Sequence, residues 1–246
     1  MGVVTQQLPD NWRLQNRYDT TIAFDGTLFS TPLTPLFASG SQEVIATASG
    51  RGSARFIRFQ EQIVVVRHYL RGGGMAPLLG DNYLYTGWQR SRPVREVNLL
   101  HQLWRWALPV PRPVALQLVR HHALWWRGDL ATLALPEVTP LLDHLCTTTL
   151  ADELWREIGA TLARFHRRGV YHADLNGRNI LLDSEQKIWL IDFDRGQLRR
   201  PARRWQQANL QRLLRSLLKW QRQQPDFRFT PKHWQALLEG YQRELP

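Results

Sequence analysis

The sequence predicts a two-lobed α+β protein, with a strand-rich N-terminal lobe holding one helix and a short, mostly helical C-terminal lobe. Three observations predict it. Gly50 to Tyr69 alternates apolar and polar residues in strand fashion. Ala151 to Arg168 repeats apolar residues at helical spacing. Two short apolar runs, Asn179–Leu182 and Ile188–Ile191, flank the turn-like "DSEQK". Strands therefore dominate residues 1–137 and helices residues 138–246, the order of an α+β chain. Residues 1–45 read as an irregular extension of the first lobe. At 246 residues, with 43% hydrophobic content and 11 tryptophans, the chain is large enough to bury a substantial core.

Each element has its own sequence reason. "STPLTPLFASG" (30–40) reads as loop from its prolines and small residues. "ARFIRF" and "IVVVRHY" are strands joined by a polar turn at Gln60–Gln62. Beyond "RGGG" (71–74), Ser91 is placed to cap a helix whose first turn accommodates Pro93, with Val97, Leu100 and Trp104 on one face. "VPRPVALQLVR" and "GDLATLALP" follow as strands. The helix at 151–168 has Leu154, Ile158, Leu162 and Phe165 as its stripe, and Gly169 ends it. Asn209 to Trp220 is helical, with Leu210, Leu213, Leu214, Leu217 and Leu218 toward a core, and "PKHWQALLEGYQREL" is the last helix.

Composition narrows the function classes. No internal repeat is present, and no apolar run nears the roughly 20 residues that span a bilayer. The start, "MGVVTQQLPDNW", carries neither a basic leader nor an apolar stretch, so no secretory signal is expected. A single cysteine, Cys146, excludes an intramolecular disulfide and agrees with a reducing compartment. His121-His122 and His144-x-Cys146 lack a second ligand pair at zinc-like spacing. The net charge is +11, and 29 of the 32 basic residues are arginines. Such a surface suits an anionic partner, since the guanidinium fork matches carboxylate and phosphate oxygens. Read without a partner, "RRPARR" is a solvated basic loop; Trp125 and Trp126 read as core or as a membrane-interface pair.

The densest chemistry lies in "YHADLNGRNILLDSEQKIWLIDFD" (171–194). His172, Asp174 and Asn179 fit H-x-D-x-x-x-x-N, and Asp192-Phe193-Asp194 follows at the distance of a loop plus a short hairpin. Phosphoryl transfer needs a base to orient and deprotonate an acceptor hydroxyl, and a hard cation on oxygen ligands to neutralise the phosphates. Asp174 is the base in this reading, and Asn179 and Asp192 are the Mg²⁺ ligands. His172 braces the loop by hydrogen bonds. For ATP, Gly50 and Gly52 supply backbone amides at a strand turn. Arg67 stands where V-A-I-K has lysine, and Glu96 on the next helix is placed to pair with it. The backbone near Leu133 and Leu135, with Thr132 behind, is the expected adenine slot.

In this order these residues resemble the protein-kinase-like superfamily from Ser49 to Asp194. "VVVRHYLRGG", "DNYLYTGWQRSRPVREVNLL", "LPVPRPVA", "GDLATLAL", "GVYHADLNGRNILL", "LIDFDRGQLR" and "WQQANLQRLLRSLLK" are similar, more narrowly, to the bacterial lipopolysaccharide-core sugar kinases that act on 3-deoxy-D-manno-octulosonic acid (Kdo). The resemblance covers most of the chain beyond about Phe37. It implies ATP- and Mg²⁺-dependent phosphorylation of the 4-hydroxyl of Kdo on a lipid A precursor, Kdo-lipid IV(A). It further implies peripheral contact with the cytoplasmic face of the inner membrane, without nucleic acid or an obligate protein partner. Three positions depart from ordinary protein kinases. Arg67 replaces lysine, Asp194 replaces the glycine of D-F-G, and Asn176 replaces the lysine two residues after the base.

Asn176 leaves the transferred phosphate to another cation, for which Arg178 is the candidate. Arg71 and Arg195, with Arg199, Arg200, Arg203 and Arg204, are placed to meet the acceptor's carboxylate and phosphates. Only 52 residues follow Asp194, with no A-P-E segment, so a small or lipid-linked acceptor is expected rather than a polypeptide. A core-heptose kinase uses the same machinery, and a non-catalytic basic module binding nucleic acid or membrane is the alternative of another class.

Overall fold

The computed structural model describes residues 8–38, 44–48, 54–69, 83–84, 87–121 and 125–245. The chain forms two compact units, one of residues 1–102 and 111–134, the other of residues 103–110 and 135–246. Its architecture is α+β, with the large sheet in the first unit and most of the helix in the second.

The described strands of the first unit are β1 (Trp12–Arg17), β2 (Thr20–Asp25), β3 (Val44–Ala48), β4 (Ala54–Phe59), β5 (Gln62–His68), β6 (Tyr83–Leu84), β7 (Pro113–His121) and β8 (Trp125–Leu133). They pair antiparallel in the order β1-β2-β7-β8-β5-β4-β3, with β6 also on β8. The register sets Arg67 opposite Ala54 on β4 and Leu130 on β8. Apolar residues fall on the buried face: Ile22, Phe24, Ile57, Val64, Val66 and Val114 share one core. Helix α2 (Arg92–Arg105) follows β6 and buries Val94, Val97 and Leu100.

The extension at 1–45 is not irregular where it is described. β1 and β2 form a hairpin through Tyr18, whose φ is 47°, and β2 joins the sheet beside β7. Its signal was weak because β1, "WRLQNR", is exposed along most of its length, Leu14 included, and ends in three polar residues. "STPLTPLF" likewise contains one helical turn, α1 (Thr34–Phe37), with Leu33 and Leu36 fully buried. Asp25 closes β2 in a buried knot: it accepts from Asn11 Nδ2 (2.7 Å), the Thr27 hydroxyl (2.6 Å) and Arg112 Nη2 (2.6 Å). Burial pushes its carboxyl up, but the bonds from Thr27 and Arg112 outweigh that and hold it below the ordinary value.

The second unit contains β9 (Thr139–Pro140), α3 (Leu141–Thr147), α4 (Asp152–Arg167), β10 (Val170–Tyr171), β11 (Ile180–Leu182), β12 (Ile188–Leu190), β13 (Gln197–Leu198), α5 (Arg203–Gln223) and α6 (Pro231–Glu244). α4 buries Leu154, Ile158, Leu162 and Phe165, and Gly169 ends it at φ 75°. A Cβ on Gly169 would lie 2.0 Å from the Arg199 carbonyl, so the position requires glycine twice over. α4 and α6 cross through paired glycines. A Cβ on Gly159 would meet the Leu237 carbonyl at 1.9 Å, and one on Gly240 the Arg156 carbonyl at 1.9 Å.

Two helix faces differ from expectation. Trp104 is 37% exposed while Leu103 is fully buried, and Leu218 is 39% exposed while Leu213 and Leu217 are fully buried. In each case the apolar stripe is narrower than the run of apolar letters, as the 3.6-residue period dictates. Ser91 also differs: its hydroxyl donates to the Trp88 carbonyl (2.7 Å), so it bonds the preceding 3₁₀ turn.

Candidate active site

The loop from Tyr171 to Asn179 leaves β10 and enters β11, and nearly every polar group in it is tied down. The His172 ring, buried, accepts the Asp174 N–H at Nδ1 (3.1 Å), so Nε2 carries the proton and donates to the Ile191 carbonyl (2.9 Å). This is the bracing role expected of it. Burial pushes the imidazole pKa down, keeping the neutral form that both bonds need. The ring also packs on Phe193 (4.7 Å between centroids), which is fully buried and stacks on Phe165 (5.9 Å). The aromatic of Asp192-Phe193-Asp194 is therefore packed in the core against the histidine of this loop.

α5 holds the same loop from another side. Asn209 accepts the His172 N–H (3.2 Å) and donates to the His172 carbonyl (3.0 Å), while the Ser216 hydroxyl accepts the Gly177 N–H (3.3 Å). Between them Arg212 reaches Asp174, donating to Oδ1 from Nη2 and from Nε (3.0 Å). Asn176 Nδ2 donates to the other oxygen, Oδ2 (3.2 Å). The Asp174 side chain is nonetheless 50% exposed, so its remaining lone pairs face solvent.

Asn179 Nδ2 donates to the Asp174 carbonyl (2.9 Å), which leaves the amide oxygen as the acceptor atom of that side chain. The Asn179 carbonyl accepts the Ile191 N–H (3.1 Å), securing β11 one residue before Asp192. Asp192 lies at φ 62°, a left-handed conformation that a non-glycine residue keeps only when its surroundings impose it. An amide oxygen and a carboxylate are hard donors and fit Mg²⁺, which completes its shell with water and phosphate oxygens. Among the described residues no group of three or more His, Cys, Asp or Glu side chains is arranged to hold a metal.

In the first unit Arg67 pairs with Glu96, which is 3% exposed and also accepts the Tyr69 hydroxyl (2.5 Å). The Arg67 guanidinium lies over the Tyr69 ring at 5.4 Å. This is the arginine–glutamate pairing expected from their places on strand and helix. Gly50, Gly52 and Arg71 lie outside the described residues. At the expected adenine slot the Leu133 N–H is given to the Arg112 carbonyl and the Ala134 N–H to the Ile63 carbonyl, both at 2.9 Å. Leu133 thus has no amide proton to offer a base, because β8 uses it in the sheet.

Arg178 stacks on Trp220 of α5 at 4.7 Å, and Arg195 is exposed at φ 58°. The cation at Asp174 is Arg212, which sequence reasoning missed. Nothing in the sequence singles it out, because α5 is rich in polar residues, with Gln207, Gln211, Arg215 and Lys219 close to it along the chain.

Comparisons with known proteins place the chain in a family. A family model described as the lipopolysaccharide kinase (Kdo/WaaP) family matches residues 37–241. The chain belongs to that family. It is 40% identical over 204 residues, 83% of its own length and 84% of the relative's, to the 3-deoxy-D-manno-octulosonic acid kinase of Photobacterium profundum. It is 46% identical over 171 residues, 69% and 68% of the two lengths, to the enzyme of the same name from Xylella fastidiosa. Among solved structures it is similar to "WaaP in complex with acyl carrier protein", with a TM-score of 0.52, 17% identity, and coverage of 80% of this chain and 78% of that one. At that identity the likeness is one of fold. Family membership makes the chain a kinase and α+β in architecture. No helix among the described residues is long and apolar enough to cross a membrane.

Proposed function

We propose that this chain transfers the γ-phosphoryl group of ATP to the 4-hydroxyl of a Kdo residue on a lipid A precursor. The observation that supports it most is the state of Asp174. Its loop is immobilised by His172, Asn209 and Ser216, yet the carboxylate itself stays half exposed to receive an acceptor. Relatives named for Kdo at up to 46% identity support the choice of sugar.

In this reading Asp174 accepts the proton of the 4-hydroxyl. The oxygen forms a bond to the γ-phosphorus as the bond to the β–γ bridging oxygen breaks, and ADP leaves with that electron pair. Arg67, held by Glu96 and Tyr69, contacts the nucleotide phosphates, with Gly50 and Gly52 approaching them through backbone amides. Leu135, whose N–H makes no backbone bond among the described residues, is the adenine contact that stays open. Asn179 and Asp192 would hold Mg²⁺, whose chemistry is to neutralise the phosphate charge. Arg71 and Arg195 meet anionic groups of the lipid-linked acceptor. The enzyme works as a peripheral protein at the cytoplasmic face of the inner membrane, drawn there by its net charge of +11.

A mass-spectrometric transfer assay tests the substrate. The protein with Mg-ATP is expected to add one phosphate to Kdo-lipid IV(A). Addition to a heptosylated acceptor, with none to Kdo-lipid IV(A), would reassign the sugar to a core heptose.

A further inference from the structure

The Asp174–Arg212 pair has a feature that base positioning alone does not explain. A guanidinium holding a carboxylate for rigidity ordinarily sets two N–H groups on two oxygens. Here Nε and Nη2 of Arg212 converge on one oxygen, Oδ1, and Asn176 occupies Oδ2. Among the described residues the other three N–H groups of Arg212 have no protein partner, and its side chain is 47% exposed. Its backbone is fixed all the same, because Asn209 and Ser216, three residues before and four after it, bond the catalytic loop. A cation with spare, solvent-facing donors is thus held against the base by the helix that clamps the base's own loop. Asn176, short and uncharged, adds no competing charge there.

We propose that Arg212 recognises the acceptor's carboxylate and so selects an acidic sugar. The inference rests on the Kdo reading above. In a 3-deoxy-octulosonic acid the carboxyl carbon is C1, and only C2 and C3 separate it from the carbon that bears the 4-hydroxyl. One sugar can therefore give its hydroxyl to Asp174 and its carboxylate to the arginine on Asp174. The unused N–H groups supply the charge-assisted bonds, and the acceptor is oriented by two contacts to one fixed pair. A neutral heptose offers the hydroxyl but not the anion. Its binding would leave the outward N–H groups to water.

The test compares kcat/KM for Kdo-lipid IV(A) with that for its carboxyl methyl ester, in the wild-type protein and in Arg212→Gln. The ratio of acid to ester removes any general effect of the substitution on the base or on ATP. The wild type is expected to prefer the acid by about 10- to 100-fold, the range of a hydrogen bond to a charged group. Arg212→Gln is expected to lose the preference to within about threefold, mainly through the KM of the acid. Where Arg212→Gln does not fold, Arg212→Lys is read the same way, with a reduced ratio expected from loss of the fork. If the variant loses activity on acid and ester equally and keeps the wild-type ratio, Arg212 serves only the base and the proposal is overturned. If the wild-type protein phosphorylates neither form, the Kdo reading fails and the inference falls with it. A wild type that phosphorylates both forms equally well removes the inference alone.

Discussion

Asp174 and Glu96 make separable predictions about single residues. Asp174→Asn keeps shape and hydrogen-bonding reach but removes the proposed base, so turnover should drop by about 10²- to 10⁴-fold, the usual contribution of general-base catalysis. ATP binding, followed by fluorescence titration, should change little, and a parallel loss of ATP affinity would contradict the assignment. Glu96→Gln acts in the other unit. It weakens the grip on Arg67 and on the Tyr69 hydroxyl, and is expected to raise the KM for ATP about tenfold while the KM for the sugar holds. A rise in the sugar KM instead would detach Arg67 from nucleotide binding. The loop residues were legible because each motif position has its own contact: His172 bonds the Ile191 carbonyl, Asn179 bonds the Asp174 carbonyl, and Phe193 packs on the His172 ring. Arg212 was not, because its role depends on which face α5 presents to the loop. A chain read in one dimension does not give that face without the partner.

Elements carry the stability predictions. The α4–α6 crossing depends on two glycines that allow backbone contact, so Gly159→Ala or Gly240→Ala forces the helices apart. The overpacking cost is about 1–3 kcal/mol, lowering Tm by roughly 2–10 °C in calorimetry. An unchanged Tm would mean that the helices do not meet so closely. The same seam holds His166, whose Nδ1 bonds the Tyr241 hydroxyl at 2.7 Å. Burial lowers the His166 pKa from 6.5 to about 4, and raises that of Tyr241 to about 12. Between pH 6.5 and about 4 the unfolded chain binds a proton that the folded one refuses. Stability should therefore fall as pH drops through that window, by about 3 kcal/mol from this residue, and buried His172 shifts in the same direction. Urea unfolding at pH 7 and pH 4.5 measures it, and equal stabilities would contradict the burial argument. The long helices and the β4–β5 and β11–β12 hairpins were readable from periodicity and turn residues. The β1–β2 hairpin was not, since its outer strand is polar and its register comes from pairing with β7.

For the whole molecule the governing quantity is charge. With 32 basic and 21 acidic residues, binding to vesicles containing phosphatidylglycerol should be measurable at low salt and weaken steeply above physiological ionic strength. Equal binding to neutral phosphatidylcholine vesicles would refute an electrostatic attachment. The charge bears on the proposed membrane attachment, whereas the proposed reaction rests on one carboxylate and one hydroxyl. The most direct measurement is therefore the position of the new phosphate, read by ¹H–³¹P correlation on the purified product of Kdo-lipid IV(A). The account predicts a phosphorus coupled to the proton on C4 of Kdo with the wild-type protein, and no phosphorylated product on the same timescale with Asp174→Asn. Phosphorus on another sugar position, or undiminished product from the variant, would contradict it.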